Sequence, residues 1–429
     1  MEVKKMKQIM KRRVAAALAA VMAVSMCALF TGCNGNEEST TDSTPIATLP
    51  TDTTDTTASG ETPVETTTGN SQVTETTTSG TQTPVVPTGK YTNPLTGQPT
   101  ENDVSNLRPL AVVVDNNVSA LENQTGLDQA DVLYEALVAP GITRFLAVYA
   151  DYTLVDSICN IRSGRNYHLD WASYHNAVLM CHGASNTDNY DFYQLAVDRL
   201  GNRWGFIDTQ FEYFFSSTEA GVKYGTIANW GDRYDLRYDT IFKPEALNAL
   251  LNSTSSHFTN KAGGSMKGYA KQSLQFVPYG TTKDMTGAST ANTVNLNFTC
   301  QGSAAAEKVS FSYDAATDKY LRYQDGAKHV DSETGAQLSF TNVLTLITNV
   351  ECVETGISND PYMTLVTTKN LNGLGYYFYG GKVIQINWYS DGNSLTLIDS
   401  LGNDLSLATG NTYIGYLDSK LVENGQFWN

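Results

Sequence analysis

The sequence is short of positive charge. Its 429 residues contain 28 Lys and Arg against 44 Asp and Glu, which gives a formal net charge of -16 at pH 7. The first 32 residues are basic, so removing them leaves a formal charge of about -21. A body this acidic is repelled by nucleic-acid phosphates, and we therefore exclude DNA and RNA as partners.

Between residues 34 and 89 the sequence has no Lys, no Arg and no aromatic residue. Thr dominates this tract, together with Ser, Pro, Gly and scattered acids. Such a composition cannot bury enough apolar surface to offset the chain entropy. We therefore predict a disordered stalk over residues 33–88, whose composition is also typical of O-glycosylated spacers.

Complete catalytic and cofactor signatures are missing as well. A run that begins like a nucleophile elbow at Gly183 has Thr187 where the second Gly belongs. His168, His175 and His182 are spaced by seven residues, but no carboxylate or Cys spacing completes a metal site. The sequence therefore predicts no metal and no cofactor.

The amino terminus has the features of an export signal. Basic residues between positions 4 and 13 precede an apolar run over residues 14–30, and Gly32-Cys33 follows. This ending resembles the lipobox of bacterial lipoproteins, whose cysteine is lipidated and becomes the new amino terminus. We expect a signal peptide over residues 1–32 and acyl chains such as palmitate on Cys33, anchoring the chain to the extracellular face of the cell membrane. The alternative is an uncleaved anchor, for which a run of 17 apolar residues is at the short limit.

Residues 89–285 show the pattern of a mixed α/β domain with a central sheet. A short β-branched run ends at Asp115 and predicts a buried strand, and two further runs flank the turn dipeptide Pro140-Gly141. Centring a hairpin on that turn makes Glu135 and Arg144 diagonal neighbours on one face. We interpret them either as a structural ion pair or as one wall of a ligand pocket.

Basic side chains gather near a predicted helix that has Ser163 as its N-cap. Arg162 and Arg165 bracket this amino terminus, where exposed N–H groups and the helix dipole favour an anion. The alternative is that the arginines pair with neighbouring aspartates. His182 follows a predicted strand, at the position where α/β proteins place working groups. The candidate ligand-binding residues are therefore Asp115, Glu135, Arg144, Arg162, Arg165 and His182.

Residues 286–429 have a different sequence pattern from residues 89–285. Many short strand-like runs are separated by turn signals such as Asp325-Gly326 and Asp391-Gly392, with scarcely any helical period. This pattern predicts a mainly β domain, a small sandwich or barrel. The whole body is thus expected to be of the α+β class. His329 falls in a polar run, and we interpret it as a solvated turn residue.

Four cysteines remain once the signal peptide and the lipidated Cys33 are set aside. Cys159 and Cys181 fall in the first predicted domain, and Cys300 and Cys352 fall in the second. An even number in an exported chain permits one disulfide in each domain. The alternative is four buried thiols.

Several motifs that follow one another along the sequence resemble those of a known family. They are Asn93-Pro94-Leu95-Thr96-Gly97, Arg108-Pro109-Leu110-Ala111-Val112, the run from Gly126 to Glu135, Gly141-Ile142-Thr143-Arg144-Phe145 and Ile161-Arg162-Ser163. Over residues 93–425 the chain resembles the YerB-like lipoproteins, secreted and lipid-anchored proteins of mostly Gram-positive bacteria. The resemblance implies two domains of unknown function, here residues 89–285 and 286–429, and it implies no reaction.

Two hypotheses follow for the function. In the first, the chain is a non-catalytic binding or scaffold protein of the cell envelope, whose partner is a cell-wall fragment, a peptide or an envelope protein. In the second, it is an envelope hydrolase or transferase that uses His182 with Asp115 or Glu135 as acid and base. The sequence favours binding, because no complete triad, metal set, phosphate loop or cofactor fingerprint is found.

Overall fold

In a computed structural model of the chain, the structure describes residues 89–187, 190–199, 206–208, 222–223, 241–242, 244, 267–301, 303–357 and 360–429. These residues all fall within one structural unit. The predicted signal peptide, Cys33 and the predicted stalk lie outside the described residues. Among those described, no helix combines the length and the apolar character that crossing a membrane requires.

The first half of the described chain mixes strands with two α-helices. Short 3-10 helices cover Val118–Asn123, Leu127–Gln129 and Tyr152–Leu154. The strands and helices are β1 (Tyr91–Thr92), β2 (Pro99–Thr100), β3 (Leu110–Asp115), β4 (Val132–Ala139), β5 (Ile142–Tyr149), α1 (Asn166–Tyr174), β6 (Val178–Cys181), β7 (Asn186–Thr187), β8 (Tyr190–Asp191), α2 (Phe192–Arg199), β9 (Phe206–Asp208), β10 (Val222–Lys223), β11 (Ile241–Phe242) and β12 (Gln275–Phe276).

The second half is almost entirely strand, as the sequence predicts. Its elements are β13 (Ser289–Thr290), β14 (Thr293–Phe298), β15 (Glu307–Asp314), β16 (Lys319–Gln324), β17 (Ala327–Lys328), β18 (Ser339–Phe340), β19 (Asn342–Thr348), β20 (Val350–Ile357), β21 (Asp360–Val366), β22 (Asn370–Tyr379), β23 (Lys382–Ser390), β24 (Leu395–Ile398), β25 (Ser406–Leu407), β26 (Thr412–Asp418) and a terminal helical turn, α3 (Lys420–Glu423). The predicted α+β class is confirmed, with a mixed first part and a mainly β second part.

A central sheet of eleven strands runs through both halves of the described chain. Its order is β13-β23-β22-β19-β26-β4-β5-β3-β6-β9, and β24 pairs with β23. The halves meet where β26 pairs in parallel with β4, so that Tyr413 lies beside Leu133 and Gly415 beside Glu135. Neither half builds this sheet alone, because each supplies an edge to which the other hydrogen-bonds.

The two faces of the central sheet pack against different layers. One face packs against the five-stranded sheet of β14 to β18, where Phe311 and Phe340 meet Tyr413. The other face packs against α1, whose Trp171 stacks on Tyr134 with ring centroids 5.1 Å apart. Successive residues of a strand point alternately to these two layers. The register of a strand therefore determines on which face of the sheet each functional side chain lies.

Helix α1 begins later than predicted. Ser163 is not its N-cap, because Gly164 first pairs with the turn after β6, through an N–H donated to the Gly183 carbonyl at 2.9 Å. Arg165 is the N-cap residue instead, and its own N–H donates to Nδ1 of His168 at 2.9 Å. The imidazole therefore closes the first turn of the helix.

We predict that His175 gives the fold a stability that falls with acid. This side chain is fully buried at the end of α1 and hydrogen-bonds to the Tyr134 hydroxyl, 2.7 Å from Nε2. Burial, together with Lys271, lowers the pKa of His175 to about 3. In the unfolded chain the His175 imidazole takes up a proton near pH 6.5, whereas in the folded chain it stays neutral. The folded state is therefore destabilised as the pH falls below about 6.5.

Wild type should therefore lose about 1 kcal/mol more than His175→Gln between pH 6 and pH 5. Urea unfolding at both pH values measures this difference, and Gln keeps a group able to hydrogen-bond to Tyr134. Parallel stability profiles for the two proteins would show that the imidazole is not held neutral.

Candidate functional site

Three arginines gather at the carboxyl end of β3, around Asp115. Arg162 Nε lies 3.0 Å from Asp115 Oδ2, and Arg144 of β5, paired with Asp115 in register, places a guanidinium nitrogen 3.8 Å from Oδ1. Arg165 lies three residues further along the chain, and its positive charge acts on Arg144 and lowers the pKa of that residue. We call Arg144, Arg162 and Arg165 the arginine cluster.

The backbone that carries this cluster is inserted between β3 and the turn after β6. The Arg162 N–H donates to the Val113 carbonyl at 2.9 Å, and the His182 N–H donates to the Arg162 carbonyl at 3.0 Å. Arg144 also donates to the Ser163 carbonyl at 2.7 Å. These bonds fix the backbone at Arg162 and the guanidinium of Arg144, and they bring His182, which is partly exposed, next to Arg162.

The arginine cluster is a partly buried region of positive charge. Burial and then the neighbouring Arg165 lower the pKa of Arg144 to about 10, although Asp115 acts in the opposite direction. Arg144 therefore remains charged at neutral pH, and Asp115 is the acid seen in contact with the cluster among the described residues. Residues 89–429 contain 22 Lys and Arg against 35 Asp and Glu, so this is an unusual concentration of cations in an acidic body.

Two buried N–H groups at the cluster have no acceptor within the described structure. Burial, with Arg144 and Arg165, holds the pKa of His168 well below its usual range, so the imidazole is neutral. Its Nδ1 accepts the Arg165 N–H, which leaves the proton on Nε2. This Nε2 and the Nε of Arg144 are both buried without a hydrogen-bond partner. Buried donors are nearly always paired in folded proteins, so these two point to a missing acceptor.

The predicted ion pair between Glu135 and Arg144 is wrong. The turn pairs Ala139 with Ile142 as expected, but a bulge between Leu137 and Ala139 then shifts the register by one residue. Arg144 consequently lies opposite Ala136, and Glu135 lies opposite Phe145. A shift of one residue turns a side chain to the other face of the sheet, so the two charges lie on opposite faces.

Glu135 is instead the centre of a buried network that joins the two halves of the chain. Arg322 of β16 donates to both carboxylate oxygens, at 3.0 and 2.9 Å, and both side chains are fully buried. The Tyr413 hydroxyl donates to Oε2 at 2.6 Å. Thr143 and Asn116 donate to Oε1 at 2.7 and 3.1 Å. Every contact here serves the fold, so Glu135 is a structural residue.

His329 belongs to the same network, and its interpretation as a solvated turn residue is wrong. It is buried against the Phe145 ring and hydrogen-bonds to Arg322 through Nδ1 and to Gln124 through Nε2. Burial and then Arg322 hold the pKa of His329 well below its usual range. A clue was present in β16, where strand alternation places Arg322 on the same face as the apolar Tyr320.

The two carboxylates of the catalytic hypothesis do not form one site. Asp115 shares its face of the sheet with Arg144, whereas Glu135 faces the opposite layer and is enclosed by Arg322 and Tyr413. The hypothesis pairs His182 with either Asp115 or Glu135, and Glu135 cannot act with His182 because its carboxylate faces the opposite layer and is fully engaged there. The structure thus brings together Asp115, the arginine cluster and the backbone of His182, but not Glu135.

The four remaining cysteines are thiols in the structure, and the predicted bridge between Cys159 and Cys181 is not formed. The thiol of Cys159 donates to the Asn160 side chain, and that of Cys181 donates to the Gly183 carbonyl, so each has a separate partner. Cys300 and Cys352 do meet: their thiols hydrogen-bond, and burial, with Cys352, raises the pKa of Cys300 to about 12. A bridge between Cys300 and Cys352 stays a prediction.

The spaced histidines have separate partners rather than a common one. His168 caps α1 and His175 hydrogen-bonds to Tyr134. Across the described ranges, no three His, Cys, Asp or Glu residues are grouped as metal ligands would be.

Two family models match the chain. They are the N-terminal domain of a family described as "Protein of unknown function (DUF3048)", over residues 95–219, and the C-terminal domain of the same family, over residues 298–414. The sequence is also 25% identical over 341 residues to the "Putative lipoprotein YerB" of Bacillus subtilis (strain 168), which covers 79% of this chain and 90% of that protein. The chain belongs to the YerB-like family.

A solved YerB-like structure supports the same conclusion at the level of the fold. The crystal structure of YerB protein from Bacillus subtilis matches with a TM-score of 0.57 and 22% sequence identity. The match covers 76% of this chain and 97% of that one. The YerB-like fold therefore extends over most of the body described above.

Proposed function

We propose that this YerB-like protein is an extracytoplasmic lipoprotein, anchored through a lipid on Cys33, that binds an anionic group at the arginine cluster without catalysis. The Thr-rich tract of residues 33–88 would hold the body away from the membrane. Support for the anchoring comes from Gly32-Cys33 after the apolar run and from the name of the Bacillus subtilis relative. The ligand is an anionic group of a cell-wall fragment, a peptide or an envelope protein.

The observation that carries the binding proposal is the pair of buried donors without acceptors, Arg144 Nε and His168 Nε2, beside three arginines. A carboxylate or a sulfate oxygen would satisfy such donors and would be attracted by the excess positive charge. The neutral state of His168 matters, since its Nε2–H donates without adding a charge that would repel the arginines.

Arg162→Gln should remove most of the stabilisation that sulfate gives to the folded protein. Arg162 is the member to change because its side chain is 24% exposed, so the fold tolerates the substitution best there. Loss of one charge-assisted hydrogen bond should weaken binding about tenfold or more. Thermal unfolding against sulfate concentration measures this, since the gain in stability follows the ratio of ligand concentration to Kd.

Lys308→Gln is the matched control, because it removes one positive charge from an exposed site on β15. Arg162→Lys should keep part of the response, since it retains the charge. If sulfate stabilises Arg162→Gln as strongly as Lys308→Gln, the arginine cluster is not an anion site.

A further inference from the structure

A second cationic site lies at the opposite end of β3. A cavity of about 470 Å³ opens there, and its described lining includes Arg108, Arg199 and Lys271, with no acidic residue among the described lining positions. Arg108 precedes β3, whereas the arginine cluster follows it, so the two sites are about 17 Å apart along the strand. A cavity of this volume is in the range of sites for small organic ligands.

Neutral groups hold Lys271, one of the cations of this cavity. Lys271 Nζ donates to the Asn393 carbonyl at 2.6 Å and to the Ser394 hydroxyl at 2.8 Å. Neither partner carries a charge, so the ammonium keeps its positive potential. An ammonium has three donors, and these two bonds leave one N–H for a ligand.

The other two cations are fixed by the framework. Arg108 donates to the carbonyl of Asn176 at 2.8 Å and to that of Ala177 at 3.2 Å. Arg199 forms an ion pair of 2.8 Å with Asp170, which lies behind the cavity on α1. Arg199 is thus paired with an acid, whereas Lys271 bonds to neutral oxygens, so the lining suits a ligand of low negative charge.

The segment that carries Lys271 is held in place before any ligand arrives. The Gly268 N–H donates to the Asn106 carbonyl, and the Lys271 N–H donates to the His175 carbonyl at 3.0 Å. The Asn176 side chain donates to the Tyr269 carbonyl at 2.8 Å. Gly268 has φ +148°, and a Cβ there would approach Arg108 Cγ to 2.9 Å, so the close packing requires glycine. Such preorganisation reduces the entropic cost of binding.

Tyr269 supplies an apolar face on the same cavity. Its side chain is 66% exposed although its backbone is fixed on both sides, which is unusual for an aromatic residue of a soluble body. An exposed aromatic ring beside hydroxyl and amide groups, here Ser173 and Asn393, is suited to a ring that carries hydroxyl groups.

We propose that this cavity binds an acidic sugar: Lys271 takes the carboxylate, and Tyr269 takes the face of the sugar ring. The proposal is independent of the arginine cluster, because it uses other residues at the other end of β3. It explains why an acidic protein keeps three cations around an open cavity.

Calorimetric titration with galacturonate and with galactose tests the proposal on the purified body of the protein. The two sugars share a ring and differ by the carboxylate, so galacturonate should bind at least about tenfold more tightly than galactose. Lys271→Gln should lose the same factor for galacturonate, and Tyr269→Ala should weaken it about threefold to tenfold. Raised salt should weaken binding in wild type.

Lys328→Gln is the control, since it removes one exposed positive charge on β17. Tyr269→Ala changes an exposed side chain, so it keeps the test valid should Lys271→Gln fold poorly. Equal affinity for the two sugars, or galacturonate binding in Lys271→Gln equal to that in Lys328→Gln, would overturn the acidic-sugar site. Unchanged binding in Tyr269→Ala would overturn the stacking of the ring.

Discussion

Replacing Glu135 by Gln is expected to lower the free energy of unfolding by about 3–5 kcal/mol. The substitution keeps the shape of the side chain and one oxygen, which can take the place of either Oε2, the acceptor from Tyr413, or Oε1, the acceptor from Thr143. It removes the negative charge from a fully buried ion pair and leaves Arg322 as a buried cation without its counter-ion. Urea unfolding followed by circular dichroism measures the difference from wild type.

A double substitution separates the ion pair from simple packing. Glu135→Gln combined with Arg322→Met should cost clearly less than the sum of the two single changes, because the uncompensated charge is removed. Glu351→Gln is the matched control on an exposed position of β20 and should change stability by no more than about 0.5 kcal/mol. A loss in Glu135→Gln no larger than in this control would show that the pair is dispensable.

Cys33→Ala is expected to abolish acylation and membrane retention altogether. The thioether to the diacylglyceryl group forms on the cysteine sulfur, so no other residue at this position can carry it. Two or three acyl chains are enough for stable anchoring, and without them an acidic body has no attraction to an anionic membrane. Labelling with radioactive palmitate, followed by separation of membrane and soluble fractions, measures both effects.

Cys27→Ala is the control for this experiment, since it removes a cysteine from the apolar run of residues 14–30 without touching Gly32-Cys33. It should be labelled and retained like wild type. Palmitate incorporation into Cys33→Ala at the level of Cys27→Ala would contradict lipidation at Cys33.

Much of the fold follows from local pattern in the sequence. The β-branched run that predicts a strand ending at Asp115 forms β3, and the runs around Pro140-Gly141 form the hairpin of β4 and β5. The prediction fails at the bulge after Leu137, because the extra residue leaves no local signal and yet turns Glu135 to the other face. A register shift of one residue thus determines that Glu135 contacts Arg322 rather than Arg144.

The buried network was beyond sequence reasoning for a different reason. Arg322 and Glu135 are 187 positions apart, and Tyr413 and Glu135 are 278 apart. No periodicity links such positions, so the polar turn around His329 suggested solvent, although the sheet of β14 to β18 covers it. Asp115 and Arg162 were candidates because each lies at the end of an element predicted from local pattern, and Arg144 because it lies in the predicted hairpin.

The parallel pairing of β4 with β26 joins two strands that become available for folding at different times. A polypeptide chain emerges from the ribosome starting at its amino terminus, so β4 is available before β26. Until then the edge of β4 and the carboxylate of Glu135 have no partners from the second half, because Arg322 and Tyr413 have not emerged. The first half therefore has an open strand edge until the second half is complete, which is a hazard for aggregation. A tether that holds each waiting chain apart from its neighbours would lower that hazard.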